Sequence, residues 1–105
     1  MDQNRYKARR KALNDTLLTI CPNVYFQPPE SVKMTYPAIR YKRSAIDQQS
    51  ADNQPYLTHV RYELTVIDRN PDSDIVDAVM RLPFCSHNRS YTSENLNHDV
   101  FIIYA

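Results

Sequence analysis

The stretch Val60-Arg61-Tyr62-Glu63-Leu64-Thr65-Val66 alternates apolar and polar side chains without interruption. Because successive side chains of a β-strand point to opposite sides, this period of two places all the apolar residues on one side. The segment from Ala38 to Ile46 has the same period, with Ile39 and Tyr41 at apolar positions. We predict that the two stretches pair with each other in a half-buried sheet.

The segments before these strands predict a helix and a further strand. Between Asp2 and Ile20, apolar residues recur at spacings of seven, four and three, which is typical of an amphipathic helix. We expect Pro22 to stop this helix. The run Val24-Tyr25-Phe26 predicts a short strand at a sheet edge, since Pro28 and Pro29 lack the amide hydrogen that a sheet ladder needs.

The segments after these strands predict a second helix and a hairpin. Residues 70–74 combine capping side chains, a proline and two aspartates, which favours the start of a helix that ends at Pro83. Its predicted inner face consists of Ile75, Val76, Val79 and Met80. The alternating stretches Phe84 to Thr92 and Asn97 to Tyr104 predict two strands with a four-residue connection, Ser93 to Leu96. Residues 1–105 therefore predict one α+β domain, with a mixed or antiparallel sheet of about four to five strands flanked by two helices.

A polar segment from Asp47 to Tyr56 joins the two long alternating stretches. Its length is too great for a tight hairpin turn, and we predict a mobile loop that projects from the sheet. The polar residues expected in this loop are Asp47, Gln48, Gln49, Asp52, Asn53 and Gln54.

The composition is that of an ordinary globular chain. The 105 residues include 42% hydrophobic and 24% charged side chains with a net charge of +1, so no global charge attracts nucleic acid or an anionic membrane. The chain contains no glycine, which excludes the common phosphate-binding loops, nucleophile elbows and dinucleotide-binding turns. We expect no cofactor.

Only two cysteines are present, Cys21 and Cys85, and they lie far apart in the sequence. A disulfide scaffold is therefore not predicted, and we expect both thiols to be buried in a protein of a reducing compartment. No apolar signal-peptide core follows Met1, and no segment has the continuous apolar length of a membrane span. We expect a soluble protein without a membrane partner.

Two groups of residues are candidates for metal or catalytic sites. Residues 68–74 place oxygens at alternate positions as a calcium loop does, but Ser73 stands where glycine is needed and Val79 where a bidentate glutamate is needed. We predict a capped strand-to-helix turn there.

Cys85 and His87 share one side of a predicted strand, with His98 opposite. Structural zinc takes four ligands, however, and the sequence indicates no group that would orient a histidine for catalysis. We predict a buried cysteine beside a hydrogen-bonded histidine, no metal and no enzyme activity.

The strongest local concentration of charge is a basic segment near the N-terminus. Five basic residues fall within seven positions: Arg5, Lys7, Arg9, Arg10 and Lys11. A basic helix neutralises phosphates and binds nucleic acid more weakly as salt rises, so a small nucleic-acid-binding regulator is one alternative. Because the net charge is only +1, we favour a solvated helical face or a subunit contact.

Tyrosine is abundant, with eight copies and no tryptophan. Tyr25, Tyr41 and Tyr62 fall at inward positions of predicted strands, so we expect them in the core. A tyrosine ring also suits interfaces, because it offers a large apolar area with a polar tip. The interface candidates are Tyr36, Tyr56 and Tyr91.

Beyond these individual patterns, the chain contains the segments VYFQPPE (24–30), YPAIRY (36–41), VIDRNPDS (66–73) and NLNHD (95–99). In spacing and residue choice they resemble the short tail-terminator, or tail-completion, proteins of long-tailed bacteriophages. The likeness covers most of the chain, beginning near Leu13, and includes no catalytic signature. It implies a sheet flanked by helices and a hexameric ring that caps the finished tail tube.

The resemblance also implies partners and a location. The partners are other copies of the chain, the tail-tube protein and the head connector or neck protein, and DNA passes through the lumen at most transiently. The protein would be assembled in the host cytoplasm and reside in the tail or neck of the virion. The loop from Asp47 to Tyr56 would project toward the lumen or a neighbouring ring. A head-completion or neck protein is the alternative within the virion.

A ring built from identical subunits uses two different contact patches on each subunit. Charged residues on the polar sides of the predicted strands are suited to such contacts. The candidates are Arg40, Lys42, Arg61 and Glu63.

Overall fold

A computed structural model of the chain describes residues 3–51 and 54–105, and describes side chains over 7–46 and 59–105. Two helices and five strands follow one another along the chain, which confirms the α+β class. They are α1 (Gln3–Ile20), β1 (Val24–Phe26), β2 (Ala38–Ala51), β3 (Gln54–Asp68), α2 (Asp74–Met80), β4 (Cys85–Ser93) and β5 (Leu96–Tyr104).

The five strands form one mixed sheet in the order β1-β2-β3-β5-β4. The short strand β1 lies at one edge and pairs parallel to β2, whereas every other neighbouring pair is antiparallel. The pairing of β2 with β3 confirms the prediction from the two alternating stretches, with Tyr41 opposite Leu64. The strand β3 therefore lies at the centre of the sheet, with β2 on one side and β5 on the other.

The helices cover one side of the sheet, which we call the inner face; the opposite side is the outer face. The apolar residues of β3 point to the inner face and are fully buried, as the alternation predicts: Val60, Tyr62, Leu64 and Val66. The helix α1 packs on this face through Leu13 and Leu17. Burial of each such side chain contributes about 1.5–3 kcal/mol, so the inner face holds the fold together.

The turn before α2 has the predicted capped geometry. The Asp68 carboxylate accepts a hydrogen bond from the Asn70 amide at 3.0 Å, and the Asn70 side chain accepts one from the Asp72 amide at 2.9 Å. The Ser73 hydroxyl then accepts from the Ile75 amide at 3.2 Å and so caps the helix. The Ser73 bond satisfies one of the backbone donors that lack partners at a helix start, and the other two bonds shape the turn that precedes it.

The predicted inner face of α2 is right for three residues and wrong for one. Val79 is fully buried, and Ile75 and Val76 are partly buried against the core. Met80, however, is 49% exposed. The helix ends at this residue, and Leu82 in the following turn packs against the core instead.

The prediction of a mobile projecting loop from Asp47 to Tyr56 is wrong in that the described residues of this segment are strand. The strands β2 and β3 continue through this segment, with Ala51 paired to Gln54. A β-ladder is made by backbone groups, so a run of polar residues in the sequence does not prevent it. Asp52 and Asn53 lie outside the described residues. The segment nevertheless projects from the sheet, because β5 joins β3 only from Arg61 onward.

We call residues 47–51 and 54–59 the hairpin extension. Five strand residues span about 16 Å, which agrees with the elongated shape of the subunit, whose principal extents are 51, 27 and 23 Å. Within the described part of the chain, these residues pair only with each other. In the described strand pairing, neither outer edge of the extension joins a third strand.

The β4–β5 connection is shorter than predicted. Ser93 pairs with Leu96, so only Glu94 and Asn95 form the turn, in place of four residues. Both turn residues have positive φ, 54° and 64°, as a two-residue type I′ turn requires. Without glycine in the chain, an asparagine is among the residues best suited to this conformation.

Adjacent leucines on α1 provide a matched test of this packing. Leu17 is fully buried, whereas Leu18 is 45% exposed on the same helix. We expect Leu17→Ala to lower the free energy of unfolding by about 2–5 kcal/mol, since it leaves a cavity under the sheet. Leu18→Ala should change it by about 0.5 kcal/mol or less. Urea denaturation followed by far-ultraviolet circular dichroism measures both, and equal losses would contradict the packing.

Candidate functional site

A charged groove of about 640 Å³ crosses the outer face of the sheet. Arg40 and Lys42 of β2 line one side of it, and Arg89 and Tyr91 of β4 also contribute. The complete lining is Gln27, Pro28, Arg40, Tyr41, Lys42, Arg43, Glu63, Thr65, Arg89 and Tyr91. We refer to this feature as the outer groove.

The strand register explains why these residues meet. Arg40 lies opposite Thr65, Thr65 lies opposite Val100, and Val100 lies opposite Arg89. These residues form one row across four strands, and side chains in one row point to the same face. Lys42 and Glu63 are directly opposite each other two residues farther along. The sheet therefore brings together charges from three separate parts of the sequence.

A β-bulge is needed to bring Arg89 into this row. The register of β4 against β5 shifts between His87 and Arg89, so that His87 pairs with Phe101 and Arg89 with Val100. Without the shift, Cys85, His87 and Arg89 would all point to the inner face by simple alternation. Arg89 is not among the residues predicted for a site, because no residue pattern in β4 marks the bulge.

Glu63 is the central carboxylate of the outer groove. Its two oxygens lie 3.6 Å from the Lys42 ammonium and 3.6 Å from the Arg89 guanidinium, which links β2 to β4 across the face. Exposed ion pairs of this kind contribute about 0–1 kcal/mol each, so they orient the cations more than they stabilise the fold. The outward-facing cations of the lining are Arg40, Lys42 and Arg89, which with this carboxylate give a formal charge of +2. The guanidinium of Arg43, which also borders the groove, lies over the Phe26 ring.

The other predicted interface residues are spread over several parts of the fold. Arg61 of β3 points to the same outer face as Glu63, but it does not line the groove. Tyr91 is 40% exposed and stacks on His98 with ring centroids 4.6 Å apart. Tyr36 is half-buried before β2. The side chain of Tyr56, in the hairpin extension, lies outside the described residues.

Of the three tyrosines predicted in the core, two are there. Tyr41 and Tyr62 are fully buried on the inner face, with ring centroids 5.8 Å apart. Tyr25 is only half-buried, and its hydroxyl accepts a hydrogen bond from the Thr35 amide at 3.1 Å. The prediction for Tyr25 is wrong because its neighbours Val24 and Phe26 are the residues of β1 that pack on the core.

The basic segment divides between packing and solvent. The Arg10 guanidinium lies 4.6 Å from the centre of the Phe26 ring, and that of Arg43 lies 5.6 Å from the same ring. Cations above an aromatic face are attracted by its quadrupole. Arg9 is half-buried against the core edge, whereas Lys7 and Lys11 are exposed. The side chain of Arg5 lies outside the described residues.

A second, apolar surface surrounds Phe84. This residue is 80% exposed and has a φ of 58°, a conformation that is unfavourable for a bulky side chain. Its carbonyl accepts a hydrogen bond from the Tyr104 amide at 3.1 Å, which helps to hold that conformation. Hollows of about 320 and 450 Å³ adjoin the ring, and both are lined by Arg9, Phe84, Tyr104 and Ala105. The sequence pattern predicts Phe84 in a strand and gives no sign of this surface.

The cysteine and histidine residues do not converge on one site. Cys85 pairs with Ile103 and His87 with Phe101, whereas His98 lies farther along, opposite Tyr91. Burial raises the pKa of the Cys85 thiol, which disfavours the nucleophilic thiolate. Cys21 is fully buried as predicted, but Cys85 is only half-buried. Among the described residues, no three His, Cys, Asp or Glu side chains are grouped closely enough to hold a metal ion.

A serine, a histidine and an aspartate do meet on the inner side of β4 and β5. The Nε2 atom of His87 lies 3.0 Å from the Ser90 hydroxyl and 3.2 Å from the Asp99 carboxylate, and the Ser90 hydroxyl also donates directly to Asp99. A catalytic triad uses opposite nitrogens of the imidazole for its serine and its carboxylate. Here one nitrogen contacts both groups, so the arrangement does not match nucleophile activation.

Within residues 3–51 and 54–105, neither helix combines the length and apolar character needed to cross a membrane. The chain matches no protein-family model, and a search of curated proteins found no match to it.

The buried tyrosines provide a test of the inner face by titration. Burial raises the pKa of Tyr41 and of Tyr62 above the ordinary value of 10.0, although nearby Arg10 and Arg43 oppose the shift. The folded state therefore keeps these protons to higher pH than the unfolded state, and stability is lost as pH rises above 10.0. When the pH is raised, absorbance at the tyrosinate band should increase in a separate phase at high pH. This phase should be smaller in Tyr41→Phe and unchanged in Tyr91→Phe. Ionisation of all tyrosines in one phase at the lower pH would contradict the burial of Tyr41 and Tyr62.

Proposed function

We propose that this chain is a structural virion subunit that assembles with copies of itself into a ring, hexameric as in the tail terminators it resembles. The ring caps the phage tail tube and provides the surface for joining the head. It binds the tail-tube protein and the head connector or neck protein, and it carries out no reaction. The observation that carries the proposal is the hairpin extension, which projects from a compact sheet beside a charged outer face.

The hairpin extension supports assembly for an energetic reason. An isolated two-stranded ladder is marginal in water, because it buries too little apolar surface to offset the entropy of ordering the chain. The extension has no third strand from the described part of its own subunit. Contact with a neighbouring subunit or with a tube would supply the missing packing and backbone partners.

The outer groove supports docking more than catalysis. It is open to solvent and half of its lining residues carry long charged side chains, whereas small-molecule sites are enclosed and largely apolar. Charged groups on a docking face give an interface its orientation and specificity. The exposed apolar ring of Phe84 adds a separate contact surface on the same subunit.

Two alternatives make different predictions. A head-completion or neck protein would bind the portal ring in preference to the tail tube, and a pull-down against each distinguishes them. A nucleic-acid-binding regulator would use the basic helix, but Arg10 of that helix is engaged with the Phe26 ring. Filter binding to DNA at low salt tests this alternative, because such binding weakens steeply as salt rises.

Purified protein should form a closed ring of about 74 kDa, which is six times the 12.3 kDa of one chain. The ring should appear by mass photometry, alone or after addition of tail tubes built from the tube protein of the same genome. Negative-stain images should then show extra density at one end of each tube, because a terminator stops tube growth. A protein that stays monomeric with tubes present, and leaves tube ends bare, contradicts the proposal.

Charge reversal on the outer face should affect assembly more than folding. We expect Arg40→Glu or Arg61→Glu to weaken subunit association about tenfold or more, because a like charge then faces the partner surface. Each variant should keep its free energy of unfolding within about 0.5 kcal/mol of the starting protein. Lys33→Glu is the control, since Lys33 is exposed in the segment before β2. Unchanged association in both outer-face variants would contradict the assignment of this face.

A further inference from the structure

Phe84 combines two features that are unfavourable in an isolated subunit. Its side chain is 80% exposed, the largest fraction among the exposed large hydrophobic residues of the described chain. Its φ of 58° lies in the left-handed region, which a bulky side chain rarely adopts and an asparagine adopts more readily. Strained backbone positions cluster at functional sites. An exposed aromatic ring at such a position therefore indicates a contact with another molecule.

A hollow of about 320 Å³ lies directly beside this ring, and we call it the helix-side hollow. Leu13 and Ile103, which are almost fully buried, contribute to its apolar lining. The exposed residues Ala12 and Thr16 border it on α1. Arg9 is the only charged residue of the lining. A largely apolar patch with few charges is typical of the centre of a protein interface.

The projecting ring and the hollow belong to one patch, because Phe84 itself lines the hollow. A projection and a recess side by side make a surface complementary to itself: a two-fold rotation places the projection of each copy over the recess of the other. In such an isologous contact the same patch is used on both subunits, whereas a ring contact uses two different patches. The shape of this surface therefore fits a second copy of the chain.

The expected area of this contact is small. Burial of one aromatic side chain removes about 150–250 Å² from water, so two rings and the two hollows that receive them bury roughly 600–1,000 Å² in total. Stable complexes bury about 1,200–2,000 Å², and smaller interfaces are typical of transient ones. The hollow is also open to solvent, whereas small-molecule sites enclose most of their ligand. The patch therefore suits a weak, reversible protein contact with Phe84 as its anchor.

We infer that this patch is a two-fold contact between two copies of the chain, in which Phe84 of each copy enters the helix-side hollow of the other. The contact is separate from the ring contact of the proposed function and does not depend on it. Free subunits pair into dimers of about 25 kDa, which is twice the 12.3 kDa of one chain. Rings pair face to face into species of about 148 kDa, twelve times that mass.

Phe84→Asn tests the projecting ring. Asparagine suits a positive φ, so this variant should fold as stably as the starting protein or more so. We expect the dissociation constant for pairing, measured by sedimentation velocity over a concentration series, to rise about tenfold or more, because both anchors are lost. Val32→Asn is the matched control, since Val32 is 39% exposed and does not line the hollow. It should change pairing by about twofold or less. Equal effects of the two variants overturn the inference.

Ala12→Gln tests the hollow and the two-fold geometry. It places a longer polar side chain at an exposed position of the lining, so it should weaken pairing about tenfold or more without unfolding the helix. A mixed pair of one Phe84→Asn and one Ala12→Gln subunit keeps one intact contact, since the remaining ring enters the remaining open hollow. With one variant fluorescently labelled, mixed pairs should form about tenfold more tightly than either variant pairs with itself. A mixture that pairs no better than its components overturns the inference.

The remaining outcomes separate this inference from the proposed function. Rings of the starting protein that never pair overturn the two-fold contact and leave the proposed function standing. A Phe84→Asn variant that pairs normally but no longer binds tail tubes assigns the ring to the tube protein and also overturns the contact. Dimers that behave as expected, from a chain that forms no rings and leaves tube ends bare, support the contact and contradict the proposed function. A chain that stays monomeric and leaves tube ends bare overturns both.

Discussion

The structure depends on the burial of one side of the central strand β3. Val60, Tyr62, Leu64 and Val66 are all fully buried, and they lie between β2 and β5 and beneath the helices. Because strand side chains alternate, fixing this side inward also fixes Arg61, Glu63 and Thr65 outward. A shift of register by one residue would bury the charged set, so the core and the charged outer face are consequences of the same constraint.

Departures from regular alternation determine which side chains reach the surface of the subunit. The bulge near His87 turns Arg89 toward Glu63, and the register shift after Arg43 changes which side of β2 the next residues face. The chain lacks glycine, yet Gln27 and Phe84 adopt positive φ at strand ends. Hydrogen bonds hold both, from the Gln27 amide to the Tyr41 carbonyl at 2.8 Å and from the Tyr104 amide to the Phe84 carbonyl at 3.1 Å. Such strained positions persist where surrounding structure holds them.

The exposed surfaces of the subunit differ from one another in charge and in shape. A cationic groove lies on the outer face, a separate apolar surface surrounds the exposed Phe84 ring, and a two-stranded extension projects beyond the sheet. Different patches on opposite sides are what a repeating head-to-tail contact needs, and a self-complementary dimer would instead use one patch twice. The ring that we propose would need such different patches on each subunit.

The sequence by itself determined the α+β class, the helix Gln3–Ile20, the β2–β3 pairing and the outward side of Arg40, Lys42, Arg61 and Glu63. These features follow from periodicity, which is a local property of the chain. Only the tertiary structure decided the strand order, the continuation of β2 and β3 to Ala51 and Gln54, the bulge that turns Arg89 and the exposure of Phe84. Backbone pairing is indifferent to polar side chains, and bulges are set by contacts with distant strands, so neither leaves a pattern in the sequence.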